Sequence, residues 1–140
     1  MHYLGFVFVN EPTEAAVETA MAYHKNIEWD WYRCGGRWDG YLLGEDEMKA
    51  RQTHNGFNFD DANKSAGRNS CLVKDIPEGK EPHFFVSDYD FVPKQYYNKY
   101  FENDRGSFGA FLDTPKWRER YNAALAKNTD KYIVVVDIHD

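Results

Sequence analysis

The amino-acid sequence predicts a single α+β domain over residues 1–140, a ferredoxin-like βαββαβ sandwich with its helices on one face of a largely antiparallel sheet. Three observations lead to this prediction. The chain has 140 residues, a length typical of one domain that buries its own core. Apolar segments typical of strands stand near both ends of the chain, and two segments between them have helical periodicity. A Gly-Gly pair with aromatic flanks, in positions 29–38, indicates a β-hairpin.

The chain begins with a predicted strand that is followed by a predicted helix. Residues 2–9 read HYLGFVFV, an aromatic and β-branched run that is typical of a strand covered on both faces. The helix is expected from about Thr13 to Lys25, with Thr13 or Asn10 as its cap and Pro12 near its start. Its apolar face repeats at helical spacing: Val17, Ala20, Met21 and His24.

The Gly-Gly pair is predicted to join the two arms of a hairpin. On the first arm, strand alternation places Trp29, Trp31 and Arg33 on one face and the residues between them on the other. The second arm is expected to run from Arg37 to about Leu43.

The middle of the chain has weaker signals. Residues 44–82 have little periodicity and are predicted to be a long insertion, which is uncommon in a small domain unless it is functional or mobile. A strand is expected at residues 82–92, a short helix or an extended edge at 93–101, and a loop at 101–113.

The last two elements are a helix and a strand. Thr114 is the predicted cap and Pro115 lies in the first turn, before an apolar stripe of Trp117, Tyr121, Ala124 and Leu125. Residues 131–140, KYIVVVDIHD, are predicted to form a strand beside the first one. The sheet face without helices would then be free for the insertion, a ligand or the second copy of a homodimer.

Charge and cysteine content disfavour some classes of function. Acidic residues number 23 against 17 basic ones, a formal charge of −6, which disfavours binding to duplex nucleic acid or an anionic membrane. Cys34 and Cys71 form neither a CxxC pair nor a metal-ligand pattern, so we expect reduced thiols, no metal and no cofactor. Without a secretion signal or an apolar run of ~20 residues, a soluble cytoplasmic protein is expected.

The stretch WDWYRCGGRW, residues 29–38, carries the strongest functional signal. Arg33 and Arg37 bracket the glycines and offer forked donors that suit phosphate or carboxylate. The neighbouring tryptophans offer flat surfaces for a base or a sugar, and glycine lets the backbone approach a ligand closely. These residues together predict an aromatic and basic pocket for a nucleotide-like molecule.

The same stretch also has a structural interpretation. Trp29 and Trp31 can belong to the core, and Asp30 can pair with Arg33 or Arg37. The glycines would then serve only to turn the chain.

The histidines provide further candidates. On the last strand Asp137 and His139 are expected to point the same way, either as a general acid/base pair or as two surface residues near the terminus. His54, in the predicted insertion, is a candidate lid residue, and a solvated loop histidine is the alternative. His83 is expected to be structural, and His2 and His24 are given no role.

The stretch at residues 29–38 resembles the W-D-W-Y-x-x-G-G-R-W signature of a family of small bacterial and phage proteins of unknown function. Members of that family often end on a V-D-x-H element, which VDIHD resembles here. The sequence departs from the pattern at Cys34, where an aliphatic residue is expected. The resemblance supplies no activity, and it singles out Trp29, Asp30, Trp31, Tyr32, Gly35, Gly36, Arg37, Trp38, Asp137 and His139.

The leading hypothesis is a binding protein, not an enzyme, for a small nucleotide-derived ligand that carries phosphate. A phage-encoded protein of this kind would sequester a defence signal, such as a cyclic nucleotide, in the host cytoplasm. The expected ligand-binding residues are Trp29, Asp30, Trp31, Tyr32, Arg33, Arg37, Asp137 and His139.

Two other hypotheses remain open. The first is a metal-independent enzyme that cleaves a phosphodiester in such a nucleotide, with His139 or His54 as acid/base and Arg37 stabilising the developing charge. The second is a protein that inhibits a host enzyme, with tryptophan, tyrosine and arginine as its anchors.

Overall fold

The computed structural model describes residues 2–25, 28–44, 68–98 and 109–140, which form a mixed α+β fold. The strands are β1 (His2–Val9), β2 (Trp31–Cys34), β3 (Ser70–Leu72), β4 (Phe84–Ser87), β5 (Asp90–Pro93), β6 (Gln95–Asn98), β7 (Gly109–Leu112) and β8 (Tyr132–His139). The α-helices in these ranges are α1 (Glu14–Ala22) and α2 (Pro115–Lys127). Short 3-10 turns stand at Gly36–Trp38, Tyr41–Leu43 and Val73–Asp75.

One sheet has the order β2-β8-β1-β4-β5, and β3 also pairs with β8. Because β1 occupies one edge of β8, β2 and β3 lie end to end along the other edge, where Cys34 pairs with Val136 and Ser70 with Val134. The pairs are antiparallel except β1 with β4, which are parallel. Strands β6 and β7 pair with each other, antiparallel, in a separate two-stranded sheet. The central β1 and β8 are buried on both faces, as their continuous apolar runs predict.

The two helices cover opposite faces of this sheet. Thr13 caps α1 by accepting a hydrogen bond from the Ala16 N–H at 3.2 Å, and Val17 and Met21 pack on the face that carries Val7 and Val136. Thr114 caps α2 in the same way, through the Trp117 N–H at 3.2 Å. The buried side of α2 packs on the other face, and it consists of Trp117, Tyr121 and Ala124.

The α+β class and the mostly antiparallel sheet agree with the prediction, and β8 lies beside β1 as expected. The ferredoxin-like order is not confirmed, and the expectation that both helices share one face is wrong. The physical reason for the helix placement is that both faces of β1 and β8 are apolar, and one helix covers each face. In the strand order, β4 and β5 form a hairpin of their own. Asp88 and Tyr89 turn this hairpin at φ of 50° and 67°, and β4 then pairs directly with β1.

The predicted hairpin at the glycine pair is wrong in its second arm. Residues 36–38 and 41–43 form 3-10 turns instead of a strand. The Gly35 N–H donates to the Val135 carbonyl at 2.8 Å, and the Val135 N–H donates to the Asn69 carbonyl at 2.8 Å. The chain therefore leaves the edge of β8 at Gly35 and returns to it at Asn69, so that β3 continues along β8 from the point where β2 ends.

Three other boundaries need correction. Residues 45–67 of the predicted insertion lie outside the described residues, but residues 68–82 are not a surface loop, because they contain β3 and the buried Asn69 and Cys71. The single strand predicted at residues 82–92 is the β4–β5 hairpin. Part of the predicted loop at 101–113 is strand β7.

Candidate functional site

Three neighbouring strands bring three aromatic rings together at one end of the sheet. The register places His2 of β1 and Trp31 of β2 on either side of His139 in β8. The Trp31 indole stacks on the His139 imidazole with centroids 5.1 Å apart and planes 2° apart. The His2 ring meets Trp31 edge-on at 5.5 Å and His139 at 5.2 Å. Because Trp31 is 43% exposed, this ring cluster of His2, Trp31 and His139 reaches the protein surface.

A buried carboxylate, Asp137, supports the ring cluster. It is 3% exposed, and its Oδ1 accepts a hydrogen bond from Nδ1 of His2 at 2.7 Å. Its Oδ2 accepts a hydrogen bond from the backbone N–H of Arg37 at 2.9 Å. Because Nδ1 of His2 faces this carboxylate, Nε2 is the ring nitrogen that Asp137 does not use.

The glycine pair makes these contacts sterically feasible. A Cβ added to Gly36, which has φ of 57°, would lie 2.7 Å from Oδ2 of Asp137. A Cβ on Gly35, at φ of 67°, would lie 2.8 Å from Nδ2 of Asn69. Both positions therefore need glycine for conformation and for space.

A second buried carboxylate, Asp39, lies on the other side of the turn and is 1% exposed. Its Oδ1 accepts a hydrogen bond from Nδ2 of Asn69 at 2.6 Å, and its Oδ2 accepts one from Nε of Arg68 at 3.1 Å. The Asn69 Oδ1 accepts from the Gly40 N–H at 3.2 Å. This Asp39 network, made of Asp39, Arg68, Asn69 and Gly40, ties the turn after β2 to the start of β3.

Arg33 and Arg37 both stand next to Asp137 but do not pair with it through their side chains. Arg33 is the cross-strand partner of Asp137, so its exposed side chain shares a sheet face with Asp137 and Trp31. Arg37 is half-buried and contacts Asp137 through its backbone. Neither guanidinium forms a hydrogen bond or an ion pair within the described part of the chain. The site therefore presents two cations whose charge no described carboxylate neutralises by contact.

Asp30 lies at His139 and not at either arginine, which corrects one of the predicted pairings. Its N–H donates to the His139 carbonyl at 2.8 Å, and its Oδ2 is 3.4 Å from Nδ1 of His139. That distance suits an ion pair, but the geometry is not that of a hydrogen bond. Nδ1 of His139 is buried, and it has no hydrogen-bond partner among the described residues.

Two of the predicted ligand-binding residues are not brought to the ring cluster. Trp29 is 4% exposed and packs in the core under α1, where Tyr32 meets it edge-on at 5.1 Å. The expected alternation fails because β2 begins at Trp31, so Trp29 and Trp31 do not share a face. Burial raises the pKa of Tyr32 to about 12, with further contributions from Cys34 and from two glutamates of α1. Tyr32 is thus a neutral packing residue near pH 7.

The structure adds His2, which the sequence analysis left without a role. The prediction that β8 lies beside β1 contained the missing signal, because antiparallel pairing of the chain's two ends places His2 opposite His139. His54, the other candidate acid/base, lies outside the described residues.

The remaining candidates for chemistry in the described ranges are metal-ligating clusters and the two cysteine thiols. They contain no group of three or more His, Cys, Asp or Glu side chains that could hold a metal ion. Cys34 and Cys71 are both free and fully buried. Burial raises the pKa of Cys71 to about 12 and that of Cys34 further, so both remain neutral thiols without nucleophilic character near pH 7.

Comparison with known proteins returned no match: no protein-family model fits the sequence, and no curated protein or solved structure is similar to it at a significant level. The resemblance to the W-D-W-Y-x-x-G-G-R-W family therefore stays a prediction. Within the described residues, none of the helices has the length and apolarity that crossing a membrane requires.

Proposed function

We propose that the protein binds a small, phosphate-bearing, nucleotide-derived ligand at the ring cluster and the two arginines beside it. One observation carries the proposal. Arg33 and Arg37, whose side chains have no partner among the described residues, flank a buried carboxylate and an exposed, stacked indole. An exposed aromatic plane beside unpaired guanidinium groups is the combination that stacks a base and binds a phosphate.

The surroundings favour a preorganised site. Asp137 binds the backbone of Arg37, and the Asp39 network holds the turn on its other side, so the Cα of Arg37 is held in one position. The stack on His139 likewise restricts the Trp31 side chain. Ordering these groups before the ligand arrives reduces the entropy that binding loses.

A binding protein of this kind would act by stoichiometry. It would hold its nucleotide unchanged and lower the free concentration of that molecule, as expected for a protein that sequesters a cyclic nucleotide signal.

The first experiment is a binding screen by calorimetry. Purified protein is titrated with nucleoside mono-, di- and triphosphates and with cyclic mono- and dinucleotides, and any bound ligand is recovered after heat denaturation and identified by mass. The proposal expects saturable binding of at least one of these compounds and its recovery intact. Absence of binding across the panel would rule the proposal out.

Variants then locate the site. Trp31→Ala is expected to weaken binding by about 1–3 kcal/mol, the scale of one base stacked on one aromatic ring. Tyr23→Ala is the matched control, because Tyr23 is also an exposed aromatic residue, at 74%, and lies outside the site. Equal losses in both variants would mean that binding does not involve the ring cluster.

The second candidate is a metal-independent phosphodiesterase, and one specific observation favours it. The hydrogen bond from His2 to Asp137 resembles the orienting half of a catalytic dyad, and it leaves Nε2 of His2 as the group that would carry a proton. The His139 ring, whose centroid lies 5.2 Å from that of the His2 ring, would be the second acid/base. An arginine would stabilise the charge that develops on phosphate.

Product analysis separates the two functions. Recovery of a cleaved nucleotide from the same incubation would favour the enzyme. His2→Gln should then abolish turnover and retain binding, because glutamine keeps a polar side chain of similar length without a titrating group. Turnover that survives in a His2→Gln, His139→Gln double variant would exclude these histidines as the acid and the base.

A further inference from the structure

A cleft of about 540 Å³, lined by none of the three rings of the ring cluster, lies beside β5 and between β7 and the first turn of α2. Its apolar side chains come from different parts of the sheet: Phe84 of β4, Phe91 and Val92 of β5, and Ile138 of β8. The volume falls within the range of small-molecule sites, which are mostly apolar and have a few polar groups.

One wall of the cleft consists of stacked aromatic rings. Phe111 lies parallel to His83, with centroids 3.9 Å apart and planes 8° apart, and Tyr3 meets Phe111 edge-on at 5.4 Å. Phe84 and Phe91 form a second stack, with centroids 4.7 Å apart. Flat surfaces of this kind favour a planar ligand.

His83 gives this wall a neutral hydrogen-bond donor. The Leu4 N–H donates to Nδ1 of His83 at 3.0 Å, so the proton of the neutral ring is on Nε2. Burial, together with the charge of Lys94, lowers the pKa of His83 to about 4, and the ring is therefore neutral near pH 7. No described residue accepts a hydrogen bond from its Nε2.

The rim of the cleft is more basic than the protein as a whole. Lys94, Lys116 and Arg120 line it against two acids, Glu28 and Asp140, whereas the chain has a formal charge of −6. Lys94 is already engaged, since its Nζ lies 4.6 Å from the centroid of the Trp117 ring and 3.5 Å from a carboxylate oxygen of Glu81.

Lys116 and Arg120 differ from Lys94. They stand four residues apart on α2, so their side chains project from the same side of the helix. Both are exposed, and neither forms an ion pair with a described residue. These two cations are available to an anion at the mouth of the cleft.

We propose that this cleft is a second ligand site, which binds a small planar aromatic molecule that carries one anionic group. The aromatic rings and the apolar side chains of the cleft contact the planar part of the ligand, and Nε2 of His83 donates a hydrogen bond to it. Lys116 and Arg120 contact the anionic group. This assignment uses none of the residues of the ring cluster and does not depend on the nucleotide proposal.

The test uses 8-anilinonaphthalene-1-sulfonate as a probe, titrated by fluorescence into the folded full-length protein. We expect saturable binding to one site, and about tenfold weaker binding in Lys116→Ala, Arg120→Ala, the loss that two partly screened charge contacts together produce. Lys74→Ala is the matched control, since Lys74 is an exposed lysine of a 3-10 turn that does not line the cleft. It should leave the dissociation constant unchanged.

A second probe tests the anion requirement. N-phenyl-1-naphthylamine has the same rings without the sulfonate, so it should bind more weakly than the sulfonate and be insensitive to the double substitution. Melting curves show whether each variant is folded, and we expect them to match because both side chains are exposed. The proposal is overturned if the folded protein does not bind the sulfonate saturably, if the double variant binds it with unchanged affinity, or if the neutral probe binds equally well.

Discussion

The molecule buries two carboxylates on the two sides of one tight turn and holds them with different partners. Asp39 is paired with the Arg68 guanidinium and the Asn69 amide. Among the described residues Asp137 forms no ion pair with a lysine or arginine side chain, and it is held by His2 and a backbone N–H. Gly35 faces the first arrangement and Gly36 faces the second.

The difference shows that the turn at Gly35 and Gly36 adjoins both a structural network, on the side of Asp39, and the candidate site, on the side of Asp137. The hydrogen bonds of Asp39 that we describe lead to Arg68, whose side chain is 11% exposed, and to Asn69, which is 1% exposed. Those of Asp137 lead to His2, whose side chain is 21% exposed and belongs to the ring cluster. An imidazole near solvent can take part in chemistry, whereas a buried guanidinium–carboxylate pair mainly holds the structure in place.

The largest effect is expected at Asp39. Asp39→Ala would leave the largely buried Arg68 without this partner, and breaking a buried pair costs about 3–5 kcal/mol of the free energy of unfolding. Urea unfolding followed by circular dichroism measures this loss. Asp30→Ala is the control, because the Asp30 side chain is 63% exposed and its removal should change stability by less than about 0.5 kcal/mol. A loss at Asp39 no larger than that of the control would refute its structural role.

A smaller loss in the free energy of unfolding is expected for a substitution of Gly36, the glycine that faces Asp137. Gly36→Ala combines a left-handed backbone with a Cβ pressed against Asp137, so it should cost about 3 kcal/mol. Gly79→Ala shares the positive φ, at 82°, but its Cβ would meet nothing within 4 Å, so it should cost about 1 kcal/mol. The difference between the two measured free energies of unfolding isolates the steric contact. Similar losses would mean that Asp137 moves aside easily.

Asp137 itself should matter less for stability than Asp39. In Asp137→Asn the side-chain carbonyl can still accept from the Arg37 N–H, and the amide can donate to Nδ1 of His2 once that ring changes tautomer. The expected loss is about 1–2 kcal/mol, the scale of a hydrogen bond that loses its charge. Urea unfolding of Asp137→Asn and of Asp39→Ala under the same conditions shows which substitution lowers the free energy of unfolding more. A loss as large as that at Asp39 would make both carboxylates scaffold.

Local signals account for what could be predicted of the fold. The caps at Thr13 and Thr114 and the apolar runs of β1 and β8 depend on neighbouring residues, and all four are confirmed. The β4–β5 hairpin was missed because its turn residues, Asp88 and Tyr89, have positive φ without being glycine. Conversely, the Gly-Gly pair does not form the hairpin that its composition suggests.

The candidate site was predictable only within single strands. Alternation along β8 correctly places Asp137 and His139 on one face. His2 was missed because its bond to Asp137 joins residues that are 135 positions apart, which no local pattern encodes. Trp29 was misplaced because the start of β2 is set by its pairing with β8, where Trp31 is the first partner.

The smallest effect on stability is expected at Arg37. Its backbone N–H donates a hydrogen bond to Asp137, while its side chain has no partner among the described residues. Arg37→Ala keeps the N–H that binds Asp137, so the free energy of unfolding should change by less than about 0.5 kcal/mol. The same variant should weaken nucleotide binding by about 1.5–3 kcal/mol, the scale of a hydrogen bond to a charged group. Calorimetric titration and urea unfolding of one protein preparation measure the two quantities together.

Arg37→Lys is the companion variant, and it should restore only part of the affinity, because an ammonium group lacks the forked donors of guanidinium. Unchanged affinity in Arg37→Ala would remove Arg37 from the proposed site. Unchanged affinity together with a lower free energy of unfolding would mean that the Arg37 guanidinium has a structural role, as Asp39 has, and no role in ligand binding. Lost affinity with intact stability would place the boundary between scaffold and site inside a single residue, between the N–H of Arg37 and its side chain.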